Sequence, residues 1–473
     1  MADIPSPSLS GFKETAAGFR YLSLVGTPDL SAIQRTHPDR YPYLLESTAR
    51  GPNGRYDILF AWPQSALTLH SDGRLRRNDQ DIGGTFLAEL ENELAANTQP
   101  AAGDIALPFT GGWFVFLSYE LTMETEPTLR PQIAGQGSHE KLPVAMARRM
   151  PAAIVIDHEL GTTTVVAETG VTTRQQQTML DDLKTQPGRA ESSEIQLREL
   201  VEEDPAIYLD AITRTKHYIH EGDIFQANLS RLWQAEVDHA ITPFDVYAQL
   251  RKKNPAPFSG LILLDGNNAV ISSSPERLVS LKNGIVATRP IAGTHPRGET
   301  EEADAALSQQ LLSHPKERAE HVMLIDLERN DLGRVCRPGS VTVSELMALE
   351  TYRHVHHIVS EVRGELESGK GPTDIIRAVF PGGTITGCPK VRCMEIIHEL
   401  EQQPRGAYTG SMGYINRDGS MDLNILIRTL VQHDNTLMFR AGGGIVADSE
   451  PEKELAETRA KAKGMLRAIG QEH

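Results

Sequence analysis

Helical periodicity marks several segments in the second half of the chain. In PAIYLDAITRTKHYIHEGD, apolar residues from Ile207 to Ile219 recur at helical spacing, and the pattern stops at Gly222. Polar residues fill the positions between them, so one face of this helix would be buried. The chain pattern predicts three further helices, at about 315–329, 373–380 and 389–401.

Most segments between these helices have the shorter period that is typical of strands. SGLILLDGNNAVISSS predicts a hairpin that turns at residues 265–268. RLVSLKNGIVATRP predicts another, and its Asn283-Gly284 pair favours a type I′ turn. The C-terminal GYINRDGSMDLNILIRTLVQHDNTLMFRAGGGIV returns to hairpins. We therefore predict an α+β fold with antiparallel sheet, which fits this order better than a doubly wound parallel sheet.

A polar segment divides the chain. The strand-like alternation of AAIVIDHELGTTTVVAE gives way to TTRQQQTMLDDLKTQPGRAESSE at residues 172–194, which is rich in Gln and Ser. We distinguish an N-terminal region of mainly strands and loops, residues 1–195, from a region at residues 196–473 that carries nearly every suggestive motif. Both are expected to be parts of one fold.

Composition narrows the classes of protein that need to be considered. Of 473 residues, 39% are hydrophobic and 23% charged, and no apolar run approaches the roughly 20 residues of a membrane helix. The N-terminus lacks the pattern of a signal peptide, so we expect a cytoplasmic protein without membrane contact. The net charge of −16 argues against a nucleic-acid partner. Cys336, Cys388 and Cys393 form no CxxC pair, so neither a disulfide framework nor a zinc site is indicated.

The loop FPGGTITGCPK, residues 380–390, looks like a phosphate-binding loop. A Walker-type loop requires lysine directly after its second glycine and then Ser or Thr. Here Cys388 and Pro389 follow Gly387, and Lys390 comes two positions late. An NTPase is therefore disfavoured. The loop's backbone N–H groups could instead bind an anion, and the alternative is a tight turn that only lets two elements pack closely.

Two predicted helices carry paired glutamates three positions apart. Glu317 and Glu320 share one helix face, and Glu454 and Glu457 share a face of a C-terminal helix. Four carboxylates that face a common point repel one another unless a divalent cation lies between them, and an all-oxygen set suits Mg²⁺. The alternative is two solvated helix faces whose glutamates pair with lysines one turn away.

Five longer motifs together resemble the chorismate-utilising enzymes, which include anthranilate, aminodeoxychorismate, isochorismate and salicylate synthases. They are SPERL (274–278), RPIAGTHPRG (289–298), RAEHVMLIDLERNDLGRV (318–335), FPGGTITGCPKVRCMEII (380–397) and AGGGIVADSEPEKELAET (441–458). The resemblance implies two facing antiparallel β-sheets flanked by helices, with the active site between them. It also implies that the bound anion is a carboxylate of chorismate.

The resemblance gives substrate-binding roles to residues by motif position. Tyr408, Arg428 and the backbone at Gly443 and Gly444 fall on the carboxylate-binding set, and Thr384 falls where a hydroxyl contacts substrate. The planar guanidinium of Arg428 suits a carboxylate because it can donate two parallel hydrogen bonds.

Catalytic and metal positions follow in the same way. Glu276 matches the acid/base glutamate near the C4 hydroxyl, and His357 lies where a histidine faces the ring. Hydroxide is a poor leaving group, so an acid must protonate it. The implied Mg²⁺ ligands are Glu320 and Glu457, with Glu317 and Glu454 nearby or acting through water.

One strand position distinguishes members that use water as the nucleophile. Isochorismate and salicylate synthases resemble one another in a lysine that activates water. In this chain the corresponding strand reads FQANLSR, and the position of that lysine is Gln226. A neutral amide cannot act as a base near pH 7, so ammonia is the predicted nucleophile. No cysteine lies in a Gly-x-Cys-x-Gly elbow, so we expect a separate glutamine amidotransferase subunit to supply the ammonia.

The motifs of the two ammonia-using types conflict. Many aminodeoxychorismate synthases read PIKGT, whose lysine is thought to attack the ring, whereas PIAGT here has Ala292 two positions before Thr294, as is usual in anthranilate synthases. NPAPFSG (254–260) and several other stretches resemble aminodeoxychorismate synthases. Because many residues outweigh one substitution, we predict the aminodeoxychorismate synthase component I type, which serves 4-aminobenzoate and folate biosynthesis.

The alternative is the anthranilate synthase component I type. LLES (44–47) resembles part of the tryptophan-binding region of those enzymes, although an ordinary strand end would have the same residues. A binding protein without catalytic activity is disfavoured, because Ala292 is the one expected catalytic position that is replaced.

Overall fold

Two antiparallel sheets form the centre of the molecule in the computed structural model. The structure describes residues 11–49, 54–100, 105–130, 142–185, 195–238, 241–298, 300–313, 315–351 and 355–471. Within these ranges the sheets have 13 and 12 strands. None of the helices in the described part of the chain is long and apolar enough to cross a membrane.

Strands are numbered in chain order. The first sheet contains β1 (Lys13–Glu14), β2 (Phe19–Val25), β3 (Tyr43–Glu46), β4 (Tyr56–Ala61), β10 (Ala152–Asp157), β11 (Thr162–Glu168), β12 (Leu197–Glu202), β13 (Gln226–Val237), β14 (Phe258–Leu263), β15 (Asn268–Ser274), β21 (Gly387–Cys388), β24 (Thr429–His433) and β25 (Thr436–Ile445). The second sheet contains β5 (Ala66–Leu69), β6 (Leu75–Arg77), β7 (Gln80–Ile82), β8 (Gly112–Leu117), β9 (Ala145–Met150), β16 (Arg277–Lys282), β17 (Ile285–Thr288), β18 (Ile291–Pro296), β19 (Thr342–Thr351), β20 (Val355–Glu365), β22 (Ser411–Asn416) and β23 (Met421–Asn424).

Each sheet joins the N-terminal and C-terminal regions through one strand pair. The first sheet runs β1-β2-β11-β10-β4-β3-β14-β15-β24-β25-β13-β12, with β21 beside β13. The second runs β18-β20-β17-β16-β23-β22-β8-β9-β5-β6-β7, with β19 beside β20. The joining pairs are β3 with β14, where Leu44 is opposite Leu261, and β8 with β22, where Val115 is opposite Gly413.

Helices cover the outer faces of both sheets. They are α1 (Leu30–Thr36), α2 (Phe86–Ala96), α3 (Thr122–Thr125), α4 (Thr173–Lys184), α5 (Pro205–His220), α6 (Pro243–Lys253), α7 (Glu301–Ser313), α8 (Pro315–Gly333), α9 (Pro372–Val379), α10 (Lys390–Glu401) and α11 (Pro451–Ala468). Short 3-10 turns occur at Tyr119–Leu121, Pro127–Leu129 and Gly383–Ile385.

Aromatic side chains from both sheets meet in the core between them. The ring of Tyr43 in β3 stacks on Phe114 in β8, with 4.3 Å between centroids. Phe60 in β4 meets the same ring edge-on at 5.4 Å. These contacts join one sheet to the other, so the sheets face each other, as the family resemblance predicted.

The predicted helices and hairpins of the C-terminal region are present with small changes in their bounds. Asn283 and Gly284 have φ of 53° and 75°, which are the left-handed values that a type I′ turn requires. The polar segment after residue 172 differs from its prediction because α4 occupies its first half. Thr172 and Gln175 cap that helix reciprocally, and its few apolar side chains are buried on one face.

Candidate active site

Two segments in which the chain passes from one sheet to the other lie side by side at the candidate site, and we call them crossings. The chain leaves β15 and enters β16 through Pro275 and Glu276, and it leaves β23 and enters β24 through residues 425–428. Ile425 donates its backbone N–H to the Glu276 carbonyl at 3.0 Å, and the Ser274 hydroxyl donates to the Ile425 carbonyl. These bonds fix the side chains at positions 276 and 428 relative to one another.

Glu276 is a buried carboxyl poised between its two protonation states. It is 5% exposed, and burial raises its pKa to about 7. The Thr384 hydroxyl, the Ile291 backbone and Arg428 oppose that rise. Glu276 Oε1 and Thr384 Oγ1 are both buried, and neither completes a hydrogen bond of ordinary geometry with a described residue. A glutamate in this state can donate a proton near neutral pH.

Arg428 places its guanidinium in the same space, within electrostatic reach of Glu276. It is half-buried with φ of 52°, an uncommon conformation for a residue with a side chain. Within the described ranges its guanidinium makes no hydrogen bond or ion pair, and burial lowers its pKa. An unpaired half-buried arginine is the arrangement expected where an anionic group binds.

His357 stands beside Arg428 as a neutral imidazole. Burial lowers its pKa to about 4, Arg428 adds to that effect, and the Gly293 backbone opposes it. Its strand β20 pairs with β18, in which Thr294 is opposite His357 and Ala292 is opposite Ile358. The side chains of Ala292 and Thr294, the two predicted catalytic positions of the PIAGT motif, lie outside the described residues, so that assignment stays a prediction.

Strand β25, which carries Gly442, Gly443 and Gly444, forms one wall of the candidate site. A Cβ on Gly444 would lie 2.2 Å from Gln226 Nε2, so only glycine leaves room for that amide. Gln226 in turn donates to Glu320 Oε1 at 3.1 Å. A Cβ on Gly442 would lie 2.7 Å from the Tyr408 hydroxyl, and burial raises the pKa of this tyrosine to about 12. The structure thus brings Tyr408 beside the strand that carries Gly443 and Gly444, whereas Arg428 lies at the crossing next to Glu276.

The carboxylates of α8 and α11 approach this wall from two sides. Glu454 and Glu457 each place an oxygen 3.6 Å from the Cβ position of Gly443, and Glu320 reaches the wall through Gln226. Among side chains that the structure describes, no three His, Cys, Asp or Glu residues stand close enough to hold a metal ion, and Glu317 is outside that set. Mg²⁺ needs only one or two carboxylates beside water and substrate oxygens, so a site that uses Glu320 and Glu457 stays a prediction, and Glu457 is paired with Lys461.

The glycine-threonine loop does not use its lysine for a ligand. Lys390 is buried, and its ammonium group donates to Asp331 and to the Val379 carbonyl. The loop also packs tightly on α8, because a Cβ on Gly383 would lie 2.5 Å from Leu327 Cδ2. The lysine is therefore an internal ion-pair partner, which agrees with the argument against an NTPase.

Two further polar residues stand at the site, and the first is the lysine partner of Glu457 that the alternative interpretation of the paired glutamates predicted. Lys461 pairs with Glu457 at 2.8 Å and donates to the Gly442 carbonyl at 2.9 Å. It also acts electrostatically on Glu276. Glu328 lies behind the loop, where burial and Asp331 raise its pKa to about 8. The spacing of Lys461 from Glu457 was a visible signal, whereas nothing in the sequence around Glu328 marks it as buried.

Comparison with known proteins identifies the family. Residues 43–467 match the sequence model of a family described as chorismate binding enzyme. The chain belongs to this family. An anthranilate synthase component I-like protein of Synechocystis is 42% identical to this chorismate binding enzyme over 363 residues, which are 77% of this chain and 73% of that protein. Aminodeoxychorismate synthase component 1 of Bacillus subtilis is 50% identical over 262 residues, 55% of each chain.

A solved structure agrees with the fold of this chorismate binding enzyme. Anthranilate synthase component I from Streptococcus pneumoniae matches with a TM-score of 0.74 and 32% identity, covering 87% of this chain and 92% of that chain. The predicted fold of two facing antiparallel sheets with flanking helices is therefore confirmed.

Proposed function

We propose that this chain is an aminodeoxychorismate synthase component I, which uses ammonia to convert chorismate into 4-amino-4-deoxychorismate. The proposal rests on two neighbouring groups at the crossings between the sheets. Glu276 is a buried acid, and Arg428 beside it makes no hydrogen bond or ion pair with a described residue. Chorismate has a hydroxyl that Glu276 could protonate as it leaves, and it has carboxylates that Arg428 could bind.

Glu276 would act as the general acid. Near pH 7 a large part of this carboxyl is protonated, so it can give its proton to the C4 oxygen as the C4–O bond breaks and water leaves. Ammonia forms the new bond at C2 of the ring, and a second ammonia then adds at C4 while the C2 amine departs. Each addition releases one proton: the first returns to Glu276 and replaces the proton lost with water, and the second goes to the C2 amine, which leaves as ammonia.

Substrate carboxylates would bind at Arg428 and at the glycine strand. Arg428 can donate a bidentate pair of hydrogen bonds, and the Tyr408 hydroxyl lies beside Gly442 to donate another. Mg²⁺ bound by Glu320 and Glu457 would neutralise a ring carboxylate that otherwise repels electron-rich groups. His357 is held neutral and would contact the ring without adding charge.

Gln226 supports ammonia over water as the nucleophile. Its amide nitrogen donates to Glu320, and its side chain is buried against Gly444. An amide has no basic lone pair with which to deprotonate water, whereas ammonia needs no base to attack.

The packing of β14 explains why the NPAPFSG motif, which resembles aminodeoxychorismate synthases, ends in glycine. A Cβ on Gly260 would lie 2.6 Å from the Leu44 carbonyl and 2.7 Å from Met412 Cε, so a larger residue does not fit there. Ser47 in the adjoining LLES segment already donates to the Pro257 carbonyl at 2.9 Å and to the Tyr56 carbonyl. Its polar groups are engaged within the protein, which argues against a tryptophan site.

Anthranilate synthase component I is the second candidate. It is favoured by Ala292 at the position of the lysine and by relatives of that name that match most of the chain, including the S. pneumoniae structure. The two products share the early steps and differ in whether ammonia enters at C4 or pyruvate is lost.

Product analysis tests the proposal. With chorismate, Mg²⁺ and ammonium, we expect 4-amino-4-deoxychorismate, measured as 4-aminobenzoate after a separate lyase is added, and little anthranilate. Glu276→Gln is the matched control, because the amide keeps the shape of the side chain but cannot donate a carboxyl proton. Anthranilate as the dominant product, with inhibition by tryptophan, would reject the proposal in favour of the second candidate.

A further inference from the structure

Arg405 is a buried cation that contacts several segments of the candidate site at once. It is 4% exposed, and it begins the turn that carries Tyr408, whose backbone N–H donates to the Arg405 carbonyl at 3.1 Å. Its guanidinium donates to the Ile385 carbonyl at 3.1 Å and to the Asn228 carbonyl at 2.7 Å. Ile385 belongs to the glycine-threonine loop and Asn228 to β13. One side chain therefore joins the Tyr408 turn to two other parts of the site.

Glu401 extends these contacts to β25. Its carboxylate accepts hydrogen bonds from Arg405 Nη2 at 2.6 Å, from Arg405 Nε at 3.0 Å and from Arg440 Nη2 at 3.2 Å. Although burial acts to raise it, the pKa of Glu401 is lowered because both arginines flank the carboxylate. Arg440 lies in β25, two residues before Gly442. The ion-pair network therefore reaches the strand that forms one wall of the site.

Residues of the N-terminal region hold the same turn. The Arg405 guanidinium lies 4.9 Å from the centre of the Tyr119 ring and 5.6 Å from the centre of the Tyr408 ring, which are cation–π distances. Glu120 Oε1 accepts the backbone N–H of Arg405 at 2.9 Å and that of Gly406 at 3.1 Å. Tyr119 donates its backbone N–H to the Gly406 carbonyl at 2.9 Å. Both regions of the chain thus fix the turn that carries Tyr408.

The form of this network suits positioning better than it suits stability alone. The cost of removing charges from water offsets much of their attraction, so a buried ion pair is weak evidence for a stabilising role. A guanidinium adds geometry, because its N–H groups point in fixed directions within one plane. The bonds of Arg405 fix Tyr408 relative to Gly442, whose Cβ position lies 2.7 Å from the Tyr408 hydroxyl.

We propose that Arg405 is a positioning residue for substrate binding, which holds the Tyr408 hydroxyl beside β25 so that both can bind one carboxylate. The proposal rests on the proposed binding of a chorismate carboxylate at Tyr408 and β25. Arg405 does not fix the general acid, because Glu276 is held at the crossings by bonds that involve Ile425 and Ser274. A carboxylate contact is the same before and during the reaction, so Arg405 should influence KM more than kcat.

Steady-state kinetics of Arg405→Lys tests the role. Lysine keeps a charge for Glu401 but cannot reproduce the planar set of N–H donors, so we expect the KM for chorismate to rise at least about fivefold while kcat stays within about threefold. Arg149→Lys is the matched control, because Arg149 is a buried arginine that pairs with Glu168 at 2.6 Å and lies 4.9 Å from the centre of the Trp113 ring, outside the site. An unchanged KM in Arg405→Lys, or an equal rise in Arg149→Lys, would overturn the inference.

Two variants of Tyr119 decide the question if Arg405→Lys does not fold. Tyr119→Phe keeps the ring beside Arg405 and removes a hydroxyl that has no hydrogen-bond partner among the described residues. Tyr119→Leu removes the ring itself. We expect the KM for chorismate to rise at least about threefold in the leucine variant and to stay within about twofold in the phenylalanine variant. Equal KM values in these two variants would then reject the positioning role.

Crystal structures test positioning without any turnover. In Arg405→Lys, or in Tyr119→Leu if the lysine variant does not fold, we expect the Tyr408 hydroxyl to move by about 1 Å or more relative to Gly442, a displacement large enough to weaken binding. A Tyr408 that kept its wild-type position would overturn the inference. If the wild-type chain neither bound nor consumed chorismate, the proposed function would fail instead, and the crystal structures alone would decide whether Arg405 positions Tyr408.

Discussion

At the scale of single residues, two buried glutamates flank the loop that contains Gly383 and Thr384. Glu276 faces Thr384, and Glu328 Oε1 lies 3.3 Å from the Cβ position of Gly383. Burial raises the pKa of the first to about 7 and of the second to about 8. Only Glu276 also adjoins Arg428, so we expect a catalytic role for Glu276 on one side of the loop and a packing role for Glu328 on the other.

The pH dependence of the reaction should follow Glu276. Its carboxyl acts in the protonated form, so raising the pH through about 7 removes the acid. We expect kcat/KM for chorismate to be level on the acid side and to fall about tenfold for each pH unit on the alkaline side. The measurement must hold the concentration of free NH₃ constant between pH 5.5 and 9, because the fraction of ammonia that is unprotonated also changes with pH.

A rate that kept rising to pH 9 at constant NH₃ would contradict the role of Glu276. In Glu276→Gln, kcat should fall by about 10²-fold or more, and the alkaline limb of the profile should disappear.

At the scale of elements, helices α8 and α11 each bring a carboxylate to the glycine segment of β25, and a short series of contacts links the two. Glu320 reaches Gln226, Gln226 packs on Gly444, and Glu457 stands beside Gly443. Since α11 supplies Glu454 and Glu457 and α8 supplies Glu320, a metal bound between them would hold the two helices together.

Metal removal should therefore abolish activity reversibly. We expect chorismate consumption to stop with chelator and to return with Mg²⁺, and we expect Glu320→Gln and Glu457→Gln to be nearly inactive although folded. Glu452→Gln is the control, because Glu452 is exposed on the same helix α11. Circular dichroism and the chorismate assay check both points. Full activity of either site variant in chelator would refute the metal assignment.

Sequence patterns predicted elements better than they predicted neighbours. The hairpin at Asn283-Gly284 follows from backbone preferences of two adjacent residues, and its φ values agree. Helix α4 was missed because its buried face is narrow and most of its residues are polar. The Lys461–Glu457 pair follows from i,i+4 spacing, whereas the bond from Lys461 to the Gly442 carbonyl and the position of Glu328 beside Gly383 depend on segments outside their own helices, which spacing alone could not reveal. The motif resemblance predicted that Glu276 and Arg428 belong to the same site, whereas local periodicity could not have predicted this.

At the scale of the whole molecule, the three cysteines are unsuited to release ammonia from glutamine. Burial raises the thiol pKa of Cys336 to about 11, and it raises the pKa of Cys388 and Cys393 as well. A protonated thiol is a poor nucleophile. We therefore predict that the purified chain uses ammonium but not glutamine, and that glutamine-dependent turnover appears only after a separate glutamine amidotransferase is added.

Product formation with each amine donor is the measurement. A chain in which all three cysteines are replaced by alanine should keep its ammonium-dependent rate if it remains folded. Glutamine-driven turnover by the pure wild-type chain would overturn this prediction.

The two strand pairs that join the regions also constrain the order in which the chain can fold. Strand β3 can complete its pairing only after β14 has been synthesised, and β8 only after β22. In the second pair Asn416 is opposite Gly112. During synthesis these early strands emerge long before their partners and present unpaired edges. Pairings so distant in sequence form slowly, so the nascent chain depends on protection of those edges, and the crossings at Glu276 and Arg428 come together only when nearly the whole chain has left the ribosome.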